Sequence, residues 1–274
     1  MGSEYGQWRE ELLQRSADLP LAPILALVRQ TGSTNGIARR IARSYIEDYV
    51  DVPPTWLLAY EQQRGRGRGE RSWVSPPGAG VWATRILRAQ RPQDIALLPL
   101  LVPAVLGQTL DRLLESSCRV KWPNDLMVSG KKLGGVLIEA LASEDGEPTV
   151  LVGFGINHGP RGRAPVEGAT TCLNHCSQQQ ELSLAQLTLA LCSDLDAALD
   201  HHWPHPEAEQ VLDAYHRITM HRPGDSLRCR VGNEIVIGTF EGFDEAGRLC
   251  LATHSGQRRL AAGEIIEEID LSSS

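Results

Sequence analysis

Residues 121–139 read KWPNDLMVSGKKLGGVLIE, a run in which strand-forming residues are interrupted by a short turn. CRVKWPNDLMV (118–128) and KLGGVLIEALAS (132–143) are rich in aliphatic and β-branched residues, and Ser129-Gly130-Lys131 supplies the turn between them. PTVLVGFGIN (148–157) follows after a second turn, EDGE (144–147). Three strands in such close succession predict antiparallel pairing. Pro123 sets a bend that presents Asn124 and Asp125, a pair suited to holding a magnesium–phosphate unit or to orienting a nucleophile. Lys132 opens the next strand beside Gly134-Gly135, where missing side chains leave room for a ligand against the backbone. An exposed hairpin lysine is the plain alternative. Asp125 and the arginines upstream favour an anion site.

Before this hairpin, residues 4–18 predict an amphipathic helix with Trp8, Leu12 and Leu13 on one face, and PLAPILALVRQ (20–30) a turn and then a strand. Ser33-Thr34-Asn35 offers capping groups to a helix over 37–50, whose Ile37, Ile41 and Tyr45 recur every four residues. WLLAYEQ (56–62) and GVWATRIL (80–87) read as strands flanking a long loop at 63–78. Residues 94–116 are apolar on most faces and carry two prolines, which predicts a buried, kinked helix. Residues 183–200, opened by a serine cap, and 206–217 are further helices. After 221–225 the chain changes to short segments between Gly, Asn and Asp turns, the pattern of a small barrel. A boundary near residue 222 divides the chain into 1–222 and 223–274.

The loop EQQRGRGRGERSW (61–73) places Arg64, Arg66, Arg68 and Arg71 among Gly65, Gly67 and Gly69. Glycines let backbone close around a ligand, and guanidinium forks fit carboxylates and phosphates. The functional reading is a clamp on an anion, and the alternatives are an RGG-like nucleic-acid tether or a solvated loop. Neither a GxxxxGK[ST] phosphate loop nor the dinucleotide fingerprint occurs in the chain. Gly153 and Gly155 in GFGIN would let a flat ring lie against a strand, with a packing role equally open.

Composition narrows the class. The 274 residues carry 27 Lys+Arg against 34 Asp+Glu, a net charge of −7 that argues against a general nucleic-acid coat. With 42% hydrophobic residues the chain can build a core, and disordered and collagen-like classes are excluded. No run reaches the roughly 18 uncharged apolar residues of a membrane span, and the start lacks the apolar segment of a signal peptide, so a cytoplasmic protein is expected. The cysteines at 118, 172, 176, 192, 229 and 250 form no CxxC pair, and His201, His202 and His205 are separated by Pro204, so both sets read as non-metal features. The only lysines are Lys121, Lys131 and Lys132, all within the 121–139 stretch. A bias of the source toward arginine explains their scarcity but not their position.

Five motifs together carry a family resemblance: S-T-N at 33–35, QQ-x-G-R-G-R at 62–68 followed by S-W-x-S-P, K-W-P-N-D at 121–125 with Lys132 downstream, L-G-G-x-L-I-E at 133–139, and G-x-G-I-N at 153–157. Their order and spacing resemble those of biotin protein ligases, closely over residues 30–160 and more loosely, through ATTCL (169–173), to the end. The resemblance implies an α+β fold: a central mixed or antiparallel sheet with flanking helices, like a class II synthetase, plus a small C-terminal SH3-like β-barrel. It implies activation of biotin by ATP to biotinyl-5′-AMP, then transfer to a lysine of a biotin carboxyl carrier protein.

By the same resemblance Lys132 bridges the biotin carboxylate and the α-phosphate, Arg68 retains the adenylate, and Asp125 orients the incoming amine or meets the Mg2+ of Mg-ATP. Ser33, Thr34, Asn35, Gln62, Gly65, Arg66, Gly67, Gly135 and Gly155 match biotin contacts. Arg66, Arg71, Trp73, Asn124 and Asn157 match the ATP end, with Trp73 a candidate to meet adenine. The common pattern GRGRxGR is altered here, because Gly69 and Glu70 follow Arg68. Glu70 could pair with Arg64 or Arg71 and change how the loop holds the adenylate. Relatives include biotin-sensing repressors and, in the wider fold, lipoate or octanoate ligases. Only one clear helix is read before Ser33, which does not make a helix-turn-helix, so no DNA partner is expected. A monomer and a homodimer remain equally open.

Overall fold

The computed structural model describes residues 3–16, 24–48, 50–69, 71–114, 117–143, 146–159, 170–176 and 182–269. In chain order these form α1 (Glu4–Arg15), β1 (Ile24–Val28), α2 (Thr34–Glu47), β2 (Thr55–Ala59), β3 (Gln62–Arg66), β4 (Ser72–Ser75) and β5 (Gly80–Arg88). A 3-10 turn at Pro92–Ile95 leads to α3 (Leu98–Leu114), β6 (Cys118–Lys121), β7 (Asp125–Val128), β8 (Lys131–Leu141) and β9 (Thr149–Asn157). There follow α4 (Leu173–Cys176), α5 (Leu184–His202), α6 (Ala208–His216), β10 (Ser226–Val231), β11 (Glu234–Phe243), β12 (Leu249–Thr253), β13 (Gly256–Leu260) and β14 (Glu264–Ile269).

The large sheet has the order β1-β2-β5-β9-β8-β7-β6. Only β1 and β2 pair in parallel; every other neighbour is antiparallel, as expected for the run from Cys118 to Asn157. Alternation along the strands divides the apolar residues between two layers. Leu57, Ile86 and Leu151 point to one face and pack under Ala38 and Ala42 of α2. Trp56, Leu58, Val150 and Val152 point to the other, beneath α1, α3 and α5. On that second face Arg85 and Asp196 are buried as a pair at 2.8 Å, and the Trp56 indole N–H also donates to Asp196 at 2.8 Å, so the interior charges are mutually satisfied.

The C-terminal strands form a five-stranded antiparallel sheet, β13-β12-β11-β10-β14. Its inner residues Leu227, Phe240 and Leu251 are buried and join the same apolar cluster as α3 and α6, so the two sheets share a continuous core.

Several local expectations change. The loop predicted at 63–78 contains the hairpin β3–β4, and the strand predicted to run to residue 62 stops at Ala59. The hairpin is templated by the chain before α2: Gln63 N–H donates to Thr31 O and Arg64 N–H to Gly32 O, each at 2.8 Å. That long-range pairing has no local sequence signal. Ser33 sits at the N-cap of α2 but its hydroxyl caps nothing, and Leu13 is 44% exposed while Trp8 and Leu12 are buried. The helix predicted over 94–116 is divided into the 3-10 turn and α3, with Pro103 inside a helix buried on most sides. All six cysteines are free thiols, and His205 lies beside Arg91 and Asp94. Glu70 and the EDGE residues Glu144 and Asp145 lie outside the described residues.

Candidate functional site

The sheet face covered by α2 becomes a slot beyond the start of that helix, because its strands lose their side chains there. Gly135 of β8 is paired directly with Gly155 of β9, and Gly153 lies one step away on the same face. Asp125 pairs with Gly135 on the other side, which brings the KWPND bend to the rim of this glycine floor. The resulting cavity is about 280 Å³. That is near the lower limit for a ligand pocket, roughly 300 Å³.

One end of the slot is polar and rigid. The Thr34 N–H and hydroxyl donate to Gln62 Oε1 at 2.9 and 3.2 Å, and Gln62 Nε2 donates to Ser75 Oγ at 2.9 Å. The Thr84 hydroxyl donates to Asn35 Oδ1 at 2.6 Å, and Asn35 Nδ2 donates to Glu139 Oε2 at 2.8 Å. Gly153 permits this arrangement, since a Cβ there would stand 2.1 Å from Asn35 Oδ1. Thr34 and Asn35 are buried, so the polar set is held in place before any ligand arrives.

The roof is the β3–β4 hairpin. Gly65 is required for it to form, because a Cβ would lie 2.3 Å from the Trp73 carbonyl. Trp73 turns its indole inward onto Gly155, where a Cβ would be 2.7 Å from Nε1. A flat ring of the protein itself thus lies against GFGIN and narrows the slot. Its Nε1 is buried with no hydrogen-bond partner among the described residues. Lys132 Nζ lies 5.2 Å from the same ring centroid, within cation–π range.

Cations gather at the opposite end. Lys132 Nζ makes a 2.6 Å ion pair with Asp125 Oδ1, both side chains being about three-quarters buried. Arg68 Nη1 donates to the Gly263 carbonyl at 2.8 Å and to Asn124 Oδ1 at 3.4 Å. Burial, reinforced by neighbouring Arg71, pulls the Arg68 guanidinium below its ordinary pKa, which marks a cation in need of an anion. Arg71 pairs with Glu264 at 2.6 Å, whereas Arg66 turns back toward the Asn35 end and meets Glu139 at 2.7 Å. Asn124 Nδ2 is anchored on Val136 O at 2.7 Å, and Asn157 Nδ2 on Thr171 O at 3.0 Å. Among the described residues, four cationic side chains line the slot and one carboxylate, Asp125, lines it with them. A ligand with a polar planar end and an anionic end fits this distribution.

The slot brings together Ser33, Thr34, Asn35, Gln62, Arg66, Gly67, Arg68, Arg71, Trp73, Asn124, Asp125, Lys132, Gly135, Gly155 and Asn157. Gly65 of β3 is the exception, packed inside the hairpin against the Trp73 carbonyl rather than lining the slot. Thr84, Glu139 and Thr170 were not singled out from sequence. Glu139 closes the L-G-G-x-L-I-E motif, so a signal for it was present; Thr84 sits in an ordinary strand pattern.

Residues 50–157 match the family described as Biotin/lipoate A/B protein ligase family, and residues 228–266 match the biotin protein ligase C terminal domain. The biotin–[acetyl-CoA-carboxylase] ligase of Paracoccus denitrificans is 30% identical over 253 residues, covering 87% of this chain and 98% of that one. The bifunctional ligase/repressor of Escherichia coli is 30% identical over 217 residues, 76% of this chain but 64% of the relative. Among solved structures, the biotin protein ligase of Aquifex aeolicus in complex with biotin and ATP superimposes with a TM-score of 0.69 at 22% identity, covering 90% of this chain and 99% of that one. The latter likeness shows the fold; the match along nearly the whole Paracoccus relative, with the C-terminal module, shows descent, and the chain belongs to the biotin protein ligase family.

Proposed function

We propose that the protein activates biotin with ATP and transfers it to a lysine of a biotin carboxyl carrier protein. The observation that carries this reading is the slot itself: fixed polar groups at one end, a glycine floor, and Lys132, Arg68 and Asp125 together at the other. Ser33, Thr34 and Gln62 offer donors and acceptors to the ureido ring, whose N–H and C=O groups need partners when buried. A dithiolane or a plain acyl chain has no N–H and C=O groups to exchange with this polar set, which favours biotin over lipoate or octanoate.

In the first step a biotin carboxylate oxygen bonds to the α-phosphorus of ATP while the bond to the β-phosphate oxygen breaks and pyrophosphate leaves. Two anions must approach, so Lys132 and Arg68 lower the barrier by holding positive charge where negative charge accumulates. The ammonium of Lys132 has three protons and can keep Asp125 while donating to carboxylate and phosphate. Arg66, Arg71, Asn124 and Asn157 take the nucleotide end, with Trp73 against the adenine.

In the second step the acceptor amine attacks the carbonyl carbon, and AMP departs from it. Asp125 is placed to orient that amine and receive its proton. Asp125 would also hold a Mg2+ accompanying ATP, and one carboxylate plus phosphate oxygens is an ordinary set for that ion, which would neutralise phosphate charge. We take residues 1–222 as the unit that performs both steps, with 223–274 as an appended module. We place the reaction in the cytoplasm, carried out by a monomer or a homodimer with neither DNA nor membrane as partner.

Exchange of labelled pyrophosphate into ATP tests the reading, run with biotin, with lipoate and with neither. Biotin-dependent exchange is expected, and exchange without biotin or with lipoate alone would overturn it. Specific retardation of the gene's own promoter fragment in the presence of biotinyl-AMP would instead favour a repressor.

A further inference from the structure

The geometry points to the Gly263–Glu264 turn of the small sheet as a catch that holds the arginine hairpin closed over the slot, with Glu264 as a positioning residue. The consequence for the intermediate rests on the proposed ligase activity; the catch itself does not. Beyond its own β3–β4 pairing, the hairpin reaches the small sheet, among the described residues near its tip, through Arg68 and Arg71. Arg68 Nη1 donates to the Gly263 carbonyl at 2.8 Å, and Arg71 Nη1 meets Glu264 Oε1 at 2.6 Å.

Both partners are aimed by the small sheet. Gly263 has φ +154, and a Cβ there would meet Arg230 O at 2.9 Å and crowd the Trp122 ring at 3.4 Å, so this turn depends on glycine to seat its carbonyl beside the KWPND strand. The Glu264 carboxylate is shared, with its other oxygen 3.9 Å from Arg230 Nη1. The side chains of Arg71 and Glu264 are 57% and 39% exposed, so salt screens their attraction and the contact can open and close. A reversible ionic catch suits a roof that must admit biotin and ATP, retain a lysine-reactive anhydride, and then admit an acceptor.

Replacing Glu264 by Gln and by Lys tests the catch, with Glu264→Asp as the conservative control. Release of labelled biotinyl-AMP from the purified protein, followed by filtration, is expected to quicken about threefold in E264Q and about tenfold in E264K, as for loss and reversal of an exposed pair. E264D should remain within twofold of the parent. High salt should speed release from the parent but hardly from E264Q, a response that a merely structural glutamate would not give. Independently of activity, amide hydrogen exchange over residues 62–75 in the ligand-free protein should rise in E264Q and E264K. Unchanged hairpin exchange and unchanged release in both variants would overturn the catch while leaving the ligase reading intact. If the parent shows no biotin-dependent pyrophosphate exchange, the ligase reading fails, and the hairpin amides still decide whether the catch exists.

Discussion

Gly155→Ala separates the ligand role of the slot floor from its packing role. The added methyl would stand 2.7 Å from Trp73 Nε1 and 3.0 Å from its Cε2, both inside the 3.4 Å at which ordinary contact begins. Gly155 itself cannot yield, because it lies in β9 between Trp82 of β5 and Gly135 of β8. The indole, carried by the hairpin rather than by the sheet, must therefore retreat. A ligand must then share the slot with the displaced indole, and an overpacking cost of about 1–3 kcal/mol that falls on binding corresponds to roughly fivefold to 150-fold in ligand affinity. Stability should change by less than about 1 kcal/mol, since alanine lowers the entropy of the unfolded chain relative to glycine and partly offsets the strain.

Gly153→Ala provides the contrast. Its methyl would collide at 2.1 Å with Asn35 Oδ1, which Thr84 and Glu139 hold in place. Breaking those buried bonds should cost about 2 kcal/mol of stability as well as binding. Calorimetric titration with biotin and urea denaturation of both variants decide the matter. If Gly155→Ala binds biotin and ATP within twofold of the parent, or is destabilised as much as Gly153→Ala, the floor does not act as described.

Lys132→Ala should depress biotin-dependent pyrophosphate exchange by about 100-fold or more, as expected on removing one preorganised cation from the reacting anions. Arg68→Ala should still make adenylate but let it escape, so that bystander proteins in the assay become biotinylated; normal synthesis with normal retention would refute the clamp. His221 is buried where the two sheets meet, and burial pushes its pKa down to about 4, with Asp225 opposing the shift and Lys121 adding to it. Between pH about 6.5 and 4 the unfolded chain then binds the extra proton, so this site loses up to about 3 kcal/mol of stability as pH falls. Urea unfolding of the parent should weaken across that window more than that of His221→Gln, and equal slopes would exclude the effect. Prolonged turnover without acceptor should place biotin first on exposed Lys131, then on half-buried Lys121 or the N-terminus, with mass spectrometry as the readout.

The succession of strands from Cys118 to Asn157 was legible because each turn is local: the Ser129-Gly130-Lys131 turn joins β7 to β8 within a few residues, and short-range pairing leaves a pattern in the chain. The hairpin over 62–75 was not legible. Gln63 and Arg64 pair with Thr31 and Gly32, each 32 residues upstream, and its glycines and arginines by themselves resemble a loop. The residues that line the slot were singled out from motif chemistry rather than periodicity, which is why Thr84, a threonine in an apolar strand, passed unnoticed. Gly65 carries a second constraint that motif chemistry does not show. Its place in the motif matched a ligand contact, whereas its position beneath the Trp73 carbonyl makes it a requirement of the hairpin.

Residue order alone thus established the strand succession, the family resemblance and the concentration of cations and glycines that activation of an acid by ATP requires, because each depends on the kinds of residue present and on spacing along the chain. Orientation across the chain depended on the fold. Two glycines twenty residues apart become a floor only when β8 and β9 pair in register, and Trp73 becomes a lid on that floor only when the hairpin closes. Arg68 and Arg71 find Gly263 and Glu264 nearly two hundred residues away only because the small sheet packs against the KWPND strand. Contacts of that range are set by how apolar faces pack, which no local pattern encodes.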